Sequence, residues 1–341
     1  MSNTDNGYNG DDGRQRIPVS GGTGPVGAPV TRKEDVMSTS KAFINRHPVL
    51  TYFVLTFAIS WGGFLLVVGA GGFAVTTSWQ TDPLFPFAIL AMLAGPSVAG
   101  FLLTSLVYGR VGLREFLSRL LKWRAGARWY AVALLTAPLL MMVILLALSL
   151  LSPEFLPSLF ASDDTASHLL MGLATGLAAG IFEELGWTGF VIPRLRQRYG
   201  VLATGLIVGL LWAVWHLPVV FWVGYASGTV SGALSLASYL IDPFLFLVAF
   251  RVLMVWVYDR TGSLLVAMLM HLSLTASSRI LTPLGIVGVP LLTFDLVWAA
   301  TLWVVVAAVV KSGQLSRQPV NQSLPREIGR GEVSIKLNIC S

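Results

Sequence analysis

The stretch LLMGLATGLAAGIFEELGWTGFVIP, residues 169–193, is apolar and long enough to cross a membrane as a helix, yet it holds two adjacent acids, Glu183 and Glu184. An acid at the centre of a membrane helix costs about 3 kcal/mol on insertion scales. Ionisable groups at such depth commonly mark a functional site. The stretch therefore predicts both a membrane fold and the place where its chemistry lies.

The composition of the whole chain agrees with a membrane fold. Hydrophobic residues make up 55% of the 341 residues and charged residues 12%, whereas a soluble domain carries about 25% charged residues. Between residues 49 and 109 the single charged residue is Asp82. Apolar stretches of about 18 or more residues recur, and each can span about 30 Å of hydrocarbon. The predicted fold class is an all-α, polytopic membrane helix bundle.

The polar and apolar segments predict about eight transmembrane helices between two disordered cytosolic tails. The tails are residues 1–47 and 311–341, and the bundle is residues 48–310. With no signal peptide at the start, the first helix is expected to serve as an uncleaved anchor. The predicted helices lie near residues 49–73, 84–108, 129–152, 168–193, 201–223, 235–258, 262–281 and 286–310.

The charges of the loops predict the orientation of the bundle. The connections 110–128 and 194–198 are rich in arginine, whereas 153–167 carries acids and no Lys or Arg. Eight spans with both termini in the cytosol place every basic segment inside. The net charge of +6 thus follows the topology, and a nucleic-acid partner is rejected.

The helix around the two glutamates has a stripe of small residues. Gly172, Gly176 and Gly180 recur every four residues, and the next step of four is Glu184. Glu183 lies about 100° around the helix from it. The stripe predicts close packing against a neighbouring helix, so at least Glu184 should face protein. One alternative is that the two acids pair with bases and simply hold helices together.

Two further predicted helices carry a histidine on a face of small or polar residues. In the fifth helix, Gly209, Trp212 and His216 follow one another at helical spacing. In the seventh, His271 and Thr275 share a face. Each histidine alone is more typical of a buried structural residue, but the combination of two carboxylates and two imidazoles on three helices is specific.

This set of groups suits hydrolysis. A buried glutamate can take a proton from water, and an imidazole can orient that water, stabilise an oxyanion or ligate a metal. Since the chain has no soluble domain, the expected partners are the lipid bilayer and a membrane-embedded or lipidated peptide substrate. A proton-coupled transporter, in which acids and histidines relay protons, is the alternative from another class.

Three motifs resemble the CAAX-protease and bacteriocin-processing family of intramembrane proteases (type II CAAX prenyl endopeptidases, or abortive-infection proteins). They are EELGWTGFVIPRL at 183–195, WAVWHLP at 212–218 and RTGSLLVAMLMH at 260–271. Their order and spacing carry the resemblance, which covers about residues 165–280, the protease-like core.

The resemblance implies roles for the site residues. Glu183 is implied as the general base on the attacking water, with Glu184 in support. His216 helps to hold the water, and His271 with Thr275 stabilises the oxyanion. The resemblance leaves open whether a divalent metal such as zinc takes part, and the sequence has no HExxH motif.

The sequence departs from the family at two positions. Thr188 stands where the family has arginine, and Thr275 stands where it has asparagine or a similar residue. A buried Glu184 without that arginine should either stay protonated or find another cation, and Arg251 in the sixth predicted helix is the candidate cation. We expect Arg251 to point into the bundle and neutralise Glu184 or Asp242; the alternative is that Arg251 reaches water alone.

The predicted function is therefore an intramembrane endopeptidase of the cell membrane that cleaves a membrane-embedded, prenylated or leader-bearing polypeptide. CAAX proteins, a bacteriocin leader or a regulatory membrane protein all fit as substrates. A transporter and a catalytically inactive membrane scaffold stay open as alternatives.

Overall fold

A computed structural model describes residues 41–69, 83–226 and 243–313, without the side chains of 223–226. The chain divides into two compact units, Met1–Phe43 and Ile44–Ser341. Only the last three residues of the first unit are among the described residues, and the helices named in this subsection belong to the second. The predicted tails, residues 1–47 and 311–341, therefore lie almost wholly outside the described residues, as does Asp242.

The described part of the unit is helical throughout and contains no strand, which confirms the all-α class. Six helices among the described residues are long and apolar enough to cross a membrane: Pro48–Val68, Phe85–Leu120, Ala127–Ser149, Thr165–Leu195, Leu264–Leu281 and Gly288–Lys311. The count of eight spans stays a prediction. The principal helices are α1 (Pro48–Val68), α2 (Phe85–Leu120), α3 (Ala127–Ser149), α4 (Thr165–Gly186), α5 (Val201–Trp215), α6 (Val248–Thr261), α7 (Leu264–Leu281) and α8 (Gly288–Lys311).

Two helix ends differ from the predicted ones by eight residues or more. Helix α5 ends at Trp215 and not near residue 223, and a shorter helix, Leu217–Ala226, follows it. Pro218 has no amide hydrogen to continue the ladder, so the helix breaks just before it, at His216. Helix α2 continues beyond residue 108, bending at Gly109, whose φ of 56° lies in the left-handed region.

Helix α4 changes its winding directly after the two glutamates. Residues Trp187–Val191 form a π-helical turn, and a short α-helix, Ile192–Leu195, follows. All five residues of the turn are buried. Such π-turns are rare and recur at functional sites, because the wider turn changes the direction in which neighbouring side chains point.

The glycine stripe of α4 packs directly on the backbone of α7, as the sequence predicts. A methyl group at Gly176 would lie 2.6 Å from the Leu272 carbonyl oxygen, and one at Gly180 would lie 2.6 Å from that of Met268. No larger residue fits at this separation without a shift of the helices. Helices α4 and α7 therefore form a pair whose backbones are in direct contact.

A second pair is built in the same way from α5 and α6. A methyl group at Gly205 would lie 2.6 Å from the Cα of Val252, and one at Gly209 would lie 2.9 Å from the Cα of Val248. Helix α6 ends at Gly262, with φ 58°, and Ser263 then caps α7 by accepting a hydrogen bond from the Val266 amide at 3.2 Å. This tight turn fixes α7 relative to α6.

A buried ion pair ties the connection between α4 and α5 to the end of α6. The Nε and Nη2 atoms of Arg196 donate to Asp259 Oδ1 at 2.9 and 2.7 Å. Both side chains are almost fully buried. Asp259 thereby holds the end of α6 to the segment that precedes α5.

Candidate active site

Glu184 lies at the centre of a buried polar cluster and is fully enclosed. Arg251 Nη1 donates to its two carboxylate oxygens at 2.8 and 2.9 Å. His271 Nδ1 lies 2.7 Å from Oε1, and the Thr188 hydroxyl donates to Oε2. The negative charge of Glu184 is thus matched by a cation and by two further donors.

Glu183 is also buried but has different partners. Its Oε2 accepts a hydrogen bond from Trp212 Nε1 at 2.6 Å, and its Oε1 lies 3.9 Å from His271 Nε2. Among the described residues no Lys or Arg pairs with Glu183. Two adjacent carboxylates therefore have opposite environments: one is neutralised by arginine, and the other is oriented by an indole.

The side chain of Trp212 contacts four other residues of the cluster. Its ring centroid lies 5.3 Å from that of His216 and 5.1 Å from that of His271, both edge-on. Arg251 stacks on the same indole, with Cζ 3.9 Å from the ring centroid, which is a favourable cation–π geometry. Trp212 thus positions both imidazoles and the guanidinium while it donates to Glu183.

His216 sits at the break between α5 and the following helix. Its Nδ1 lies 2.8 Å from the Trp212 carbonyl oxygen, which can only accept, so Nδ1 carries the hydrogen. In the neutral ring Nε2 then has a lone pair. His216 is close enough to Glu183 and His271 to interact with both electrostatically.

His271 lies between the two glutamates. The ionised Glu184 can only accept, so Nδ1 of His271 donates to it. The opposite ring atom, Nε2, faces Glu183 at 3.9 Å, which is too far for a direct hydrogen bond. The helix cap at Ser263 and the glycine contacts of α4 fix this placement.

The structure thus brings four of the five predicted site residues into one cluster: Glu183, Glu184, His216 and His271. Thr275 lies one turn beyond His271 on α7 and is half-buried. Its hydroxyl makes no hydrogen bond to any of these four within the described residues. The part assigned to Thr275 stays a prediction.

The predicted pairing of Arg251 with Glu184 is confirmed. Arg251 is fully buried, and its Nη1 lies 2.8 Å from Glu184 Oε1. The alternative partner, Asp242, lies outside the described residues. Arg251 Nε and Nη2 are buried and have no hydrogen-bond partner in the described part of the chain.

Sequence reasoning missed three features of the cluster. The Thr188 hydroxyl donates to Glu184, so the residue that replaces the family's arginine still supplies a donor. Trp212 donates a hydrogen bond directly to Glu183. Its place on the same face of α5 as Gly209 and His216 could have suggested this contact. The aromatic wall from α1 was not anticipated: Tyr52 stacks on Phe190 at 5.4 Å between ring centroids.

The donor set does not fit a resident metal among the described residues. No group of three or more His, Cys, Asp or Glu side chains there is arranged around one point. The oxygens of Glu184 are taken by Arg251 and Thr188, and Nδ1 of His271 is taken by Glu184.

Fold and site together define a multi-pass helical membrane protein with a buried glutamate–histidine centre. Residues 165–277 match the family described as type II CAAX prenyl endopeptidase Rce1-like. The chain is also 25% identical over 183 residues to CAAX prenyl protease 2 of Methanococcus maripaludis. That match covers 50% of this chain and 62% of the relative. The resemblance inferred from the three motifs is thereby confirmed, and it supports a hydrolase of the protease class.

Proposed function

We propose that the protein is an intramembrane endopeptidase of the cell membrane. Its substrate is a membrane-embedded, prenylated or leader-bearing polypeptide. The proposal rests on the different environments of two neighbouring acids, Glu183 and Glu184. Glu184 is neutralised by Arg251 at 2.8 Å, whereas Glu183 is held by the Trp212 N–H alone at hydrogen-bond distance among the described residues. Carboxylates in such different environments take different roles, and Glu183 is the one suited to accept a proton.

In the proposed reaction, Glu183 removes a proton from a water molecule that His216 Nε2 holds by accepting its second hydrogen. The hydroxide adds to the carbonyl carbon of the substrate, and the carbonyl oxygen becomes an oxyanion. His271 donates to that oxyanion from Nε2, which must carry a hydrogen at this step because Nδ1 donates to Glu184. Thr275 supplies a second donor from the same face of α7.

The tetrahedral intermediate then collapses. Glu183 passes its proton to the amide nitrogen, the C–N bond breaks, and a carboxylic acid and an amine leave. The base has returned to its ionised form. Glu184 and Arg251 keep their ion pair throughout, so His271 keeps its orientation.

The depth of the cluster supports the substrate class. Glu183 and Glu184 lie within the membrane-length helix Thr165–Leu195 and are 3% and 0% exposed. A soluble polypeptide would have to leave water to reach them, whereas a prenylated or membrane-embedded chain is already in the bilayer. The name of the archaeal relative, a CAAX prenyl protease, favours the prenylated class.

A complementation experiment tests the activity. A strain lacking the protein would receive the wild type, Glu183→Gln or Asp295→Asn, and the amino termini of membrane-protein fragments would be sequenced by mass spectrometry. Asp295 is a matched control because it is a half-buried acid in α8, outside the cluster. We expect fragments that appear with the wild type and Asp295→Asn and vanish with Glu183→Gln. Identical fragments in all strains would refute the proposed protease activity.

A second experiment tests the substrate class with purified protein. One peptide ending in a CAAX sequence would be offered with and without a farnesyl group. Faster cleavage of the farnesylated form supports the prenylated class, and equal rates would redirect the search to membrane-embedded or leader-bearing chains.

A further inference from the structure

A cavity of about 430 Å³ lies between the start of α3 and the end of α6, away from the catalytic cluster. Five residues line it: Arg128, Trp129, Val132, Trp256 and Arg260. We name it the Arg128–Arg260 cavity. Its volume can accommodate a headgroup-sized ligand.

The electrostatics of this cavity favour an anion. Two guanidinium groups belong to its lining, and none of its lining residues is acidic. The amino terminus of α3, which no side chain caps, begins at its edge and adds partial positive charge. The neighbouring connection, residues 110–128, is also predominantly basic. The guanidinium group of arginine can donate two parallel hydrogen bonds to the oxygens of a phosphate group.

The indoles give the cavity an apolar wall and a further donor. Trp129 and Trp256 meet edge-on with ring centroids 5.2 Å apart. The Nε1 atom of Trp256 is buried and has no hydrogen-bond partner in the described residues. A buried N–H without an acceptor calls for a ligand or a water, and a phosphate oxygen supplies the acceptor. The apolar indoles and the two guanidinium groups together match the part of a lipid molecule where the acyl chains meet the charged headgroup.

The cavity does not open onto the catalytic centre. Trp256 and Arg260 follow Arg251 on α6 by five and nine positions, which places them about 140° and 180° around the helix. Arg251 faces α4 and α5, so the cavity lies across α6 from it. Its ligand is therefore distinct from the peptide that reaches Glu183.

We propose that the Arg128–Arg260 cavity binds the phosphate group of an anionic lipid. Basic pockets between transmembrane helices on the cytosolic side bind such headgroups, and the loop charges predict that this end of the bundle faces the cytosol. The shared chemistry is a phosphate oxyanion, which a free phosphate ion could also supply. The inference stands independently of the proteolytic activity.

The test uses the full-length protein in nanodiscs of phosphatidylcholine with and without phosphatidylglycerol, and native mass spectrometry to count retained lipid. The variants are Arg128→Gln, Arg260→Gln and the double substitution. Arg124→Gln is the matched control: Arg124 is an exposed arginine of the same connection that stacks on Trp123 at 5.0 Å and does not line the cavity. The unfolding temperature of each variant without phosphatidylglycerol checks its fold.

We expect the wild type and Arg124→Gln to retain phosphatidylglycerol over phosphatidylcholine, and the double variant to bind it about tenfold or more weakly, since each charge-assisted hydrogen bond carries about 1.5–3 kcal/mol. Inorganic phosphate is the second probe. Displacement of the lipid by phosphate would identify the site as one for the bare anion, and no displacement would identify a lipid headgroup site. Equal retention by the wild type and the double variant, or no preference for phosphatidylglycerol in the wild type, would overturn the proposal. Should Arg260→Gln unfold, Arg128→Glu at the exposed rim decides alone.

Discussion

Arg251 donates from one nitrogen to both carboxylate oxygens of Glu184, at 2.8 and 2.9 Å, across 67 residues of sequence. The pair joins α6 to α4 in the interior of the bundle. Since both side chains are completely buried, neither charge can turn to water when its partner is lost. The ion pair is therefore a requirement of the fold at this point as well as a support for the site.

Removing one partner of this pair should be costly, and removing both should be less so. We expect Arg251→Met or Glu184→Gln alone to lower the free energy of unfolding by about 3 kcal/mol or more, because a buried charge is left unpaired. The double variant should lose less than the sum, while its activity stays low. Unfolding temperatures in detergent, arranged as a double-mutant cycle, measure this coupling.

Additive effects in that cycle would mean that the two residues do not interact. The ion pair would also be wrong if Arg251→Ala left protein level and activity unchanged while Glu184→Gln abolished both.

Replacing Trp212 by phenylalanine separates its hydrogen bond from its packing. The variant keeps an aromatic ring beside His216 and His271 but loses the N–H that holds Glu183 at 2.6 Å. A hydrogen bond to a charged group contributes about 1.5–3 kcal/mol, so kcat should fall by about tenfold to a hundredfold with little change in unfolding temperature. Trp215→Phe is the control, because its indole N–H bonds to no described residue. Equal losses in both variants would contradict a specific role for the N–H.

The packing of α4 on α7 predicts that an added methyl group will disturb catalysis. In Gly176→Ala the new carbon would lie 2.6 Å from the Leu272 carbonyl oxygen, so the two helices must shift. Glu183 and His271 would move apart, and we expect at least about a tenfold loss of kcat. Gly62→Ala in α1 is the matched control because a methyl group there meets nothing within 4 Å. Full activity of Gly176→Ala would show that the site tolerates movement of these helices.

Chelators should leave the activity intact. The carboxylate of Glu184 and the Nδ1 atom of His271 are already engaged by Arg251, Thr188 and each other, and the described residues contain no set of three ligands. Dialysis against EDTA followed by rate measurement and elemental analysis checks this expectation. A loss of activity that zinc restores would require a different mechanism.

Cysteine labelling tests the predicted orientation with both ends in the cytosol. In a Cys340→Ser background, single cysteines would replace the exposed residues Asp163 and Gln197. An impermeant maleimide should label position 163 in intact cells and position 197 after permeabilisation. Labelling of position 197 from outside would reverse the topology.

The sequence predicted those features that a helical period or a charge imposes. The glycine stripe ending at Glu184 implied a close neighbour, and α7 is that neighbour. An unmatched acid implied a cation, and Arg251 is that cation. In both cases the residues are buried in an apolar medium, where few arrangements can pack a glycine stripe or neutralise an acid. The local sequence pattern was therefore enough to predict the contact.

Other features depend on contacts that no local pattern encodes. The π-helical turn after Glu184 is set by packing of Trp187 and Phe190 against α1, including Tyr52. The early end of α5 follows from Pro218, a signal that was present in the sequence but was outweighed by the apolar run beyond it. Loop charges predict which side of the membrane a segment faces, yet they say nothing of a cavity between α3 and α6.

The two glycine-packed helix pairs divide the residues of the proposed site between them. Glu183, Glu184 and His271 belong to the pair of α4 and α7, whereas Trp212 and Arg251 belong to the pair of α5 and α6. The Trp212–Glu183 hydrogen bond and the Arg251–Glu184 ion pair both cross the seam between these two halves. Parting the halves by a few ångströms would break both contacts while the glycine contacts within each pair stay in place, so we expect lateral pressure in the bilayer to affect the proposed activity through this seam.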